Sequence, residues 1–167
     1  METLFPRDLM MLAHLVIDEC RERRVRVVTA ESCTGGLIAG LLTEIPGSSD
    51  VVERGFVTYS NRAKQSLLGV PGDLIADVGA VSEAVARMMA EGALNASDAH
   101  IAVAVTGVAG PGGGTAMKPV GLVHLASARS NGPILHRRGD FGDIGRTDVR
   151  LATVRSALEM IRDRVSG

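Results

Sequence analysis

The pattern of apolar and polar positions predicts that the chain opens as helix, strand, helix. Over residues 6–23, with Pro6 tolerated in the first turn, apolar side chains recur at the spacing of one helical face, at Leu9, Leu12, Ala13, Val16, Ile17 and Cys20. A continuous apolar run at residues 25–30 then predicts a buried strand. Apolar positions in residues 37–42 predict a second helix that ends near Pro46 and Gly47.

The remaining pattern predicts four more strands and three more helices. Residues 51–60 are rich in β-branched and aromatic side chains and predict a strand, after which Ser60 or Asn61 caps a short helix. Residues 69–79 are predicted as a loop with room for one helical turn, and Ser82 caps the next helix. Strands at residues 101–105, 120–128 and 134–139 precede a last helix from about Thr147. This order predicts an α/β fold: three α/β/α layers around a mixed, mostly parallel sheet.

Length and composition favour one folded domain, residues 1–167. Of the 167 residues, 46% are hydrophobic and 22% are charged, which is ordinary for a soluble protein with a sizeable core. No secretory signal and no run of 18 apolar residues is present, so we expect a cytoplasmic protein that does not contact a membrane. Cys20 and Cys33 predict neither a disulfide framework nor a zinc site.

Charge and aromatic content make nucleic acid an improbable partner. The net charge is −1, and the chain contains no Trp and one Tyr, so it lacks the aromatic platforms on which unpaired bases stack. A basic cluster interrupts this balance, but it falls at the end of the first predicted helix, where cations complement the helix dipole: Arg21, Arg23, Arg24 and Arg26. We therefore expect a small-molecule ligand.

The segment at residues 29–36 joins the first buried strand to the second helix, and it is the strongest candidate for chemistry. A polar turn that opens a helix leaves backbone N–H groups unpaired, and Thr34, Gly35 and Gly36 lie where these donors converge. Ser32 is a candidate nucleophile because such donors can hold a developing oxyanion. A plain helix cap is the alternative function for this serine.

A serine nucleophile needs a base, and Lys64 is the candidate. The four histidines, His14, His100, His124 and His136, lie in no recognisable motif. Of the 18 basic Lys and Arg residues, only Lys64 and Lys118 are lysines, although genomic base composition can produce the same bias. A lysine base must have its pKa lowered by burial or a nearby cation. Tyr59, five residues earlier, is expected to hold or tune this amine, or else to be an ordinary strand aromatic.

A second glycine-rich segment follows the strand at residues 101–105 and is predicted to bind the ligand. It matches neither the phosphate-loop nor the dinucleotide fingerprint, but its glycines let backbone N–H groups approach an anion closely. A flexible connection is the alternative. The last helix adds Arg146 and Arg150, which are four residues apart on one face and either of which can clamp a phosphate or face solvent. The binding residues expected here are Thr106, Gly107, Gly110, Gly112, Gly113 and Thr115.

Three ordered motifs together resemble the CinA C-terminal domain family over nearly the whole chain. They are Thr29-Ala-Glu-Ser-Cys-Thr-Gly-Gly36, Tyr59-Ser-Asn-Arg-Ala-Lys64 and Thr106-Gly-Val-Ala-Gly-Pro111, the last continuing to Lys118-Pro-Val-Gly121. The characterised activity of that family is deamidation of nicotinamide mononucleotide. The resemblance implies a Ser/Lys amidohydrolase with Ser32 as nucleophile, Lys64 as base and Tyr59 as the partner of the lysine. It also implies functional roles for Thr106 and Arg146.

The chain departs from the commoner family pattern at two loop positions. An acidic residue is frequent where Gly112 stands, and Glu often precedes the Lys-Pro pair where Met117 stands. These departures bear on ligand affinity more than on chemistry. The separate N-terminal domain that often precedes this family's domain is absent from the sequence, so we expect the stand-alone form.

The resemblance implies an acyl-enzyme on Ser32, release of ammonia, and no cofactor or metal ion. Cys33 is the rival nucleophile, because a thiolate at a helix N-terminus is readily activated. Two alternatives from other classes stay open: a nucleotide-binding module without turnover, and a domain that only binds a partner or its own copies. Self-association into a homo-oligomer is expected, in a state that the sequence does not define.

Overall fold

The computed structural model describes residues 2–167, which form a five-stranded sheet flanked by six helices. A short 3-10 turn, Ser48–Asp50, precedes the second strand. In chain order the elements are α1 (Arg7–Arg23), β1 (Val27–Glu31), α2 (Leu37–Thr43), β2 (Val52–Val57), α3 (Asn61–Leu68), α4 (Gly72–Val78), α5 (Glu83–Asn95), β3 (Ile101–Gly107), β4 (Leu122–Arg129), β5 (Leu135–Asp140) and α6 (Arg146–Ser166).

The sheet is mixed, and its strand order is β2-β1-β3-β4-β5. Strand β1 pairs in parallel with both β2 and β3, whereas β4 pairs antiparallel with β3 and β5. Four strands therefore run in one direction and β4 runs in the other, which confirms the predicted mixed sheet. Glu31, the last residue of β1, lies opposite Val57 and Val105. The segments that follow β1, β2 and β3 consequently meet at one edge of the sheet.

Helices cover both faces of the sheet, which confirms the three-layer arrangement. Helices α1, α2 and α6 pack on a face built from larger side chains, such as Val27, Val103 and Leu125. Helices α3, α4 and α5 pack on the opposite face, where β3 and β4 present small residues, such as Ala102, Ala104 and Ala126. Because successive residues of a strand point to opposite faces, one continuous apolar run supplies both layers.

The structure differs from the sequence prediction mainly between β2 and α5. The loop predicted at residues 69–79 contains a seven-residue helix, α4, which begins after Pro71 and buries Ile75. Pro71 adopts a φ of −61°, the value that its ring imposes, and Gly79 follows the last helical residue. Ser60 and Ser82 are N-caps as predicted, because their hydroxyl oxygens accept the backbone N–H groups of Ala63 and Val85.

The two longest helices are amphipathic elements of the outer layers. Helix α6 has 21 residues and α1 has 17, and each buries one face against the sheet side of the molecule. Partly exposed ion-pairing residues lie where the two helices meet, such as Glu19 on α1 and Arg162 on α6, which bond each other. No helix within residues 2–167 combines the length and the apolar character needed to cross a membrane.

Helices α3 and α5 approach each other at Gly92. A Cβ atom placed on Gly92 would lie 1.9 Å from the carbonyl oxygen of Leu68, a distance that a side chain cannot adopt. Gly40 on α2 is different, because a Cβ atom there would lie 3.7 Å from the ring of Phe5, an ordinary contact. The absence of a side chain is therefore a packing requirement at Gly92 and not at Gly40.

We predict that Gly92→Ala lowers the free energy of unfolding by roughly 1–3 kcal/mol, because the added methyl group forces α5 away from α3. The matched variant Gly40→Ala should raise it by about 0.5–1 kcal/mol, since alanine restricts the unfolded chain and fits the available space. Urea unfolding followed by circular dichroism measures both. Equal effects of the two substitutions would contradict this account of the α3–α5 contact.

Candidate active site

Ser32 lies at the start of the turn that joins β1 to α2, with its backbone held on two sides. Its N–H donates to the carbonyl oxygen of Val105 on β3 at 3.1 Å. Its own carbonyl oxygen accepts the N–H of Gly35 at 3.0 Å, which closes the turn. The residue is 9% exposed. The Ser32 side chain therefore has a defined position at the edge of the sheet, where the parallel strands end.

Lys64 reaches the same place from the first turns of α3 and is 1% exposed. Its Nζ lies 3.0 Å from Ser32 Oγ, 3.0 Å from the carbonyl oxygen of Thr58 and 3.2 Å from the carbonyl oxygen of Tyr59. The two carbonyl oxygens only accept hydrogen bonds. In a neutral amine, they take the two N–H groups and leave the nitrogen lone pair for the Ser32 hydroxyl proton.

Burial lowers the pKa of the Lys64 amine, because the low-dielectric surroundings disfavour its charged form. A lysine with a lowered pKa supplies more of the neutral form at moderate pH, and only that form can accept a proton. The geometry and the electrostatics thus agree. Together they allow Lys64 to take the proton of Ser32.

The contact between Tyr59 and Lys64 is made by the main chain. The carbonyl oxygen of Tyr59 accepts from Nζ, whereas its side chain is 60% exposed and extends along the rim of the cavity. The phenolic oxygen instead accepts from Arg146 NH2 at 3.0 Å. Arg146 also donates through NH1 to the carbonyl oxygen of Gly110 at 2.6 Å. The tyrosine hydroxyl therefore orients an arginine and does not tune the lysine.

These groups surround a cavity of about 310 Å³. Nine of the residues predicted from sequence line it: Ser32, Tyr59, Lys64, Thr106, Gly107, Gly110, Gly112, Gly113 and Arg146. The hydroxyl of Thr106 donates to the carbonyl oxygen of Ala80 at 3.0 Å, so in this structure it braces the cavity wall. The predicted β1 turn and glycine loop therefore meet around one site.

Five predicted binding residues lie outside this lining. Thr34 is fully buried, and Gly35 and Gly36 adopt positive φ values of 57° and 107° within the turn. Thr115 lines a neighbouring groove of about 660 Å³, which shares Gly112 and Gly113 with the cavity. Arg150 directs its guanidinium at the turn itself. Its Nε and NH2 donate to the carbonyl oxygens of Cys33 and Thr34, at 3.1 and 3.2 Å.

Sequence reasoning missed Glu31, which is fully buried at the end of β1. Its Oε1 accepts the Thr34 hydroxyl at 2.5 Å and the N–H of Ile38 at 2.9 Å, and its Oε2 accepts the N–H of Ala39 at 3.1 Å. Glu31 therefore satisfies the first turn of α2 in place of a capping residue. A carboxylate that closes an otherwise apolar strand, just before a turn, is the feature that could have indicated it.

The N–H groups of Cys33 and Thr34 stay unpaired within the part of the chain that the structure describes. The helix N–H groups of Ile38 and Ala39 are occupied by Glu31, so the turn and not the helix offers donors to a ligand. The Cys33 side chain itself is buried, and burial raises its pKa to about 12. Its thiol is thus protonated at neutral pH, which argues against Cys33 as the nucleophile.

The match of the chain to known families agrees with this site. Residues 10–165 match the family model described as the CinA C-terminal domain. The chain belongs to the CinA C-terminal domain family. The match covers every strand and all six helices except the first residues of α1 and the last residue of α6.

Relatives and solved structures of the CinA family extend the match over most of the chain. A CinA-like protein of Anaeromyxobacter dehalogenans is 47% identical over 161 residues, which are 96% of this chain and 39% of that protein. The chain thus spans about 39% of the length of the curated relatives that it matches. The competence/damage inducible protein CihA from Agrobacterium tumefaciens has a crystal structure with a TM-score of 0.96 and 57% identity, covering 99% of this chain and all (100%) of that one.

A second solved CinA superfamily protein, from Klebsiella pneumoniae, is more distant in sequence but keeps the same fold. It is 34% identical, with a TM-score of 0.89, and the match covers 95% of this chain and 98% of that one. The fold of this chain is therefore shared with both of these solved CinA proteins. The chemistry of Ser32 and Lys64 has to be argued from the site.

We predict that Lys64→Met changes the pH dependence of stability. The unfolded chain binds the lysine proton up to its ordinary pKa near 10.5, whereas the folded protein releases it at a lower pH. Between those values the unfolded state binds more protons at Lys64, so the contribution of this residue to the wild-type free energy of unfolding rises with pH. The free energy of unfolding of Lys64→Met, measured relative to wild type, should therefore fall as the pH rises across that window. Urea unfolding between pH 7 and 10.5 tests this, and parallel pH curves for the two proteins would contradict it.

Proposed function

We propose that the protein hydrolyses the carboxamide of nicotinamide mononucleotide to nicotinic acid mononucleotide and ammonia, with Ser32 as nucleophile and Lys64 as base. The observation that carries this proposal is the position of Lys64 Nζ, 3.0 Å from Ser32 Oγ and held by two carbonyl oxygens. The choice of substrate rests on the three motifs shared with the CinA family, since deamidation of this mononucleotide is the activity that the resemblance implies.

The reaction proceeds in two halves. Lys64 accepts the Ser32 proton as Oγ bonds to the carboxamide carbon, giving a tetrahedral intermediate with a negatively charged oxygen. That intermediate collapses as the carbon–nitrogen bond breaks, and the lysine ammonium gives its proton to the departing ammonia. Water, deprotonated by Lys64, then attacks the ester carbon, and nicotinic acid mononucleotide leaves as Ser32 regains its proton.

The negatively charged oxygen is assigned to the turn after Ser32. The unpaired N–H groups of Cys33 and Thr34 are close along the chain to the attacking oxygen, and both belong to a turn whose carbonyl groups are already bonded. Donors that are fixed before the reaction stabilise developing charge without a cost of reorganisation. Glu31 occupies the donors of α2, so the helix itself contributes no N–H group there.

Arg146 is assigned to the phosphate of the substrate. It lines the same cavity as Ser32 and Lys64, and its guanidinium is held by the hydroxyl of Tyr59 and by the carbonyl oxygen of Gly110. Arg150 is unsuited to this role, because it does not line the cavity and its guanidinium faces the turn after β1. The backbone at Gly112 and Gly113 provides the opposite wall, where the lack of side chains lets an anion approach the main chain.

The nucleotide-binding module without turnover is favoured by one feature, the loss of an acidic side chain at Gly112 on the cavity wall. Met117, the other departure from the family pattern, is 85% exposed and does not line the cavity. The aligned Ser32–Lys64 pair favours turnover. Mass spectrometry of nicotinamide mononucleotide after incubation separates the two functions, because hydrolysis adds one mass unit and binding adds none. A domain that only binds partners would show no thermal stabilisation by this mononucleotide.

We predict that Ser32→Ala lowers the rate of ammonia release by at least about 10⁴-fold, since the nucleophile of a covalent mechanism has no substitute. Binding of nicotinamide mononucleotide, measured by calorimetry, should persist. Cys33→Ala serves as the matched control and should keep most of the activity, because its thiol is protonated and only lines the cavity. Loss of turnover in Cys33→Ala with activity retained in Ser32→Ala would reverse the assignment.

We predict that Arg146→Gln raises KM for nicotinamide mononucleotide by roughly 10- to 100-fold, the loss expected when a charge-assisted hydrogen bond to phosphate is removed. kcat at saturation should change much less. Arg138→Gln is a suitable control, because Arg138 lies exposed on β5 and bonds Asp140. Steady-state kinetics with nicotinamide riboside provides the complementary measurement. Because nicotinamide riboside has no phosphate, its KM should not change in Arg146→Gln. An equal rise in KM for both substrates would contradict the assignment.

A further inference from the structure

Arg150 is built into the turn that follows the nucleophile. It extends from the second turn of α6, and its Nε donates to the carbonyl oxygen of Cys33 at 3.1 Å while NH2 donates to that of Thr34 at 3.2 Å. The Thr34 carbonyl also accepts the N–H of Leu37. Within residues 2–167, the Cys33 carbonyl oxygen accepts a hydrogen bond from Arg150 alone. The orientation of the peptide between Cys33 and Thr34 thus depends on Arg150.

That peptide unit carries one of the two unpaired donors of the proposed oxyanion site. The peptide bond is trans and planar, so the Cys33 carbonyl and the Thr34 N–H point in opposite directions. A guanidinium that fixes the oxygen therefore also fixes the direction of the N–H. A charge-assisted bond to the carbonyl further polarises the peptide and makes its N–H a stronger donor.

The Thr34 end of the same peptide is also held. The Thr34 hydroxyl donates to Glu31 Oε1 at 2.5 Å, and the residue is fully buried. The plane is thus anchored on one side by an arginine from α6 and on the other by a carboxylate from β1. Such two-sided support leaves the Thr34 N–H little freedom to turn towards another acceptor.

We propose that Arg150 is a positioning residue for the reaction, which acts through the Cys33–Thr34 peptide to orient and polarise the Thr34 N–H towards the negatively charged oxygen of the tetrahedral intermediate. The inference rests on the Ser32 nucleophile of the proposed function and not on which amide is cleaved. It replaces the substrate-binding role that the spacing of Arg146 and Arg150 indicated in the sequence.

The two roles differ in the kinetic parameter that they change. A residue that binds the substrate phosphate affects KM, whereas a residue that serves only the tetrahedral intermediate affects kcat. Removing an oxyanion donor outright costs about 10²- to 10³-fold in kcat in serine hydrolases. Arg150→Met leaves the donor in place but unsupported, so we expect kcat to fall by about 10- to 100-fold with KM changed less than about threefold. Arg150→Lys should lose less, because an ammonium can still bond one carbonyl oxygen.

The control is Arg155→Met on the same helix, where the arginine bonds Asp8 at the surface. This variant should match wild type in kcat and KM. Thermal unfolding of all three variants reports whether they fold. If Arg150→Met is unfolded, Arg150→Lys provides the comparison, and failure of both to fold would overturn the proposal in favour of a purely structural arginine.

A boronic acid provides a readout that a structural role would not change selectively. Pyridine-3-boronic acid forms a tetrahedral adduct with a serine nucleophile and places one of its oxygens at the oxyanion donors. Arg150→Met should weaken its binding by about the factor lost in kcat, with the affinity for nicotinic acid mononucleotide unchanged. An equal loss for both ligands, or unchanged boronate binding, would overturn the proposal. If the wild-type protein binds the boronate but releases no ammonia from nicotinamide mononucleotide, the proposed substrate is contradicted. Boronate binding by wild type and Arg150→Met then still tests the role of Arg150.

Discussion

A buried amine held by two carbonyl oxygens, which only accept hydrogen bonds, constrains the whole site. Lys64 Nζ contacts two carbonyl oxygens and one hydroxyl, and its burial disfavours the charged form. The carbonyl oxygens belong to Thr58 and Tyr59, which directly follow β2, so the position of the amine depends on the parallel pairing of β2 with β1. That same pairing places Ser32 beside the amine. The contact between Ser32 and Lys64 therefore depends on the parallel half of the sheet.

The donors left for an oxyanion are those that the fold does not use itself. Glu31 takes the N–H groups at the start of α2, and the Ser32 carbonyl takes the N–H of Gly35. Within residues 2–167, the N–H groups of Cys33, Thr34 and Gly36 then have no acceptor in another residue, and the first two directly follow Ser32. The start of α2 was expected to supply the oxyanion donors, but a buried carboxylate accepts its N–H groups. The physical reason is that a buried helix start with unpaired donors destabilises the fold.

The sequence singled out Ser32 and Lys64, whose side chains the structure brings together, because both residues carry local signals. Ser32 lies in a polar turn between apolar segments, and Lys64 is one of two lysines in the chain. The contacts of Tyr59 and Arg150 had no such signal. Whether the main chain or the side chain of a residue makes a contact depends on how α3 and α6 pack against the sheet edge. This packing is set by residues distant in sequence. Glu31 was missed because the predicted strand ended at residue 30, which placed this carboxylate in the polar turn and not at the buried end of β1.

Two basic side chains meet the turn after β1, and their chemistry suits them to different tasks. A guanidinium presents several donors in a planar fork, so Arg150 can hold two successive carbonyl oxygens at once. An alkyl amine changes its charge when buried, so Lys64 can give up a proton and take it back. Exchanging the two residues would put a permanent charge where a base is needed and a single donor where a fork is needed. The turn therefore requires both, each in its own place.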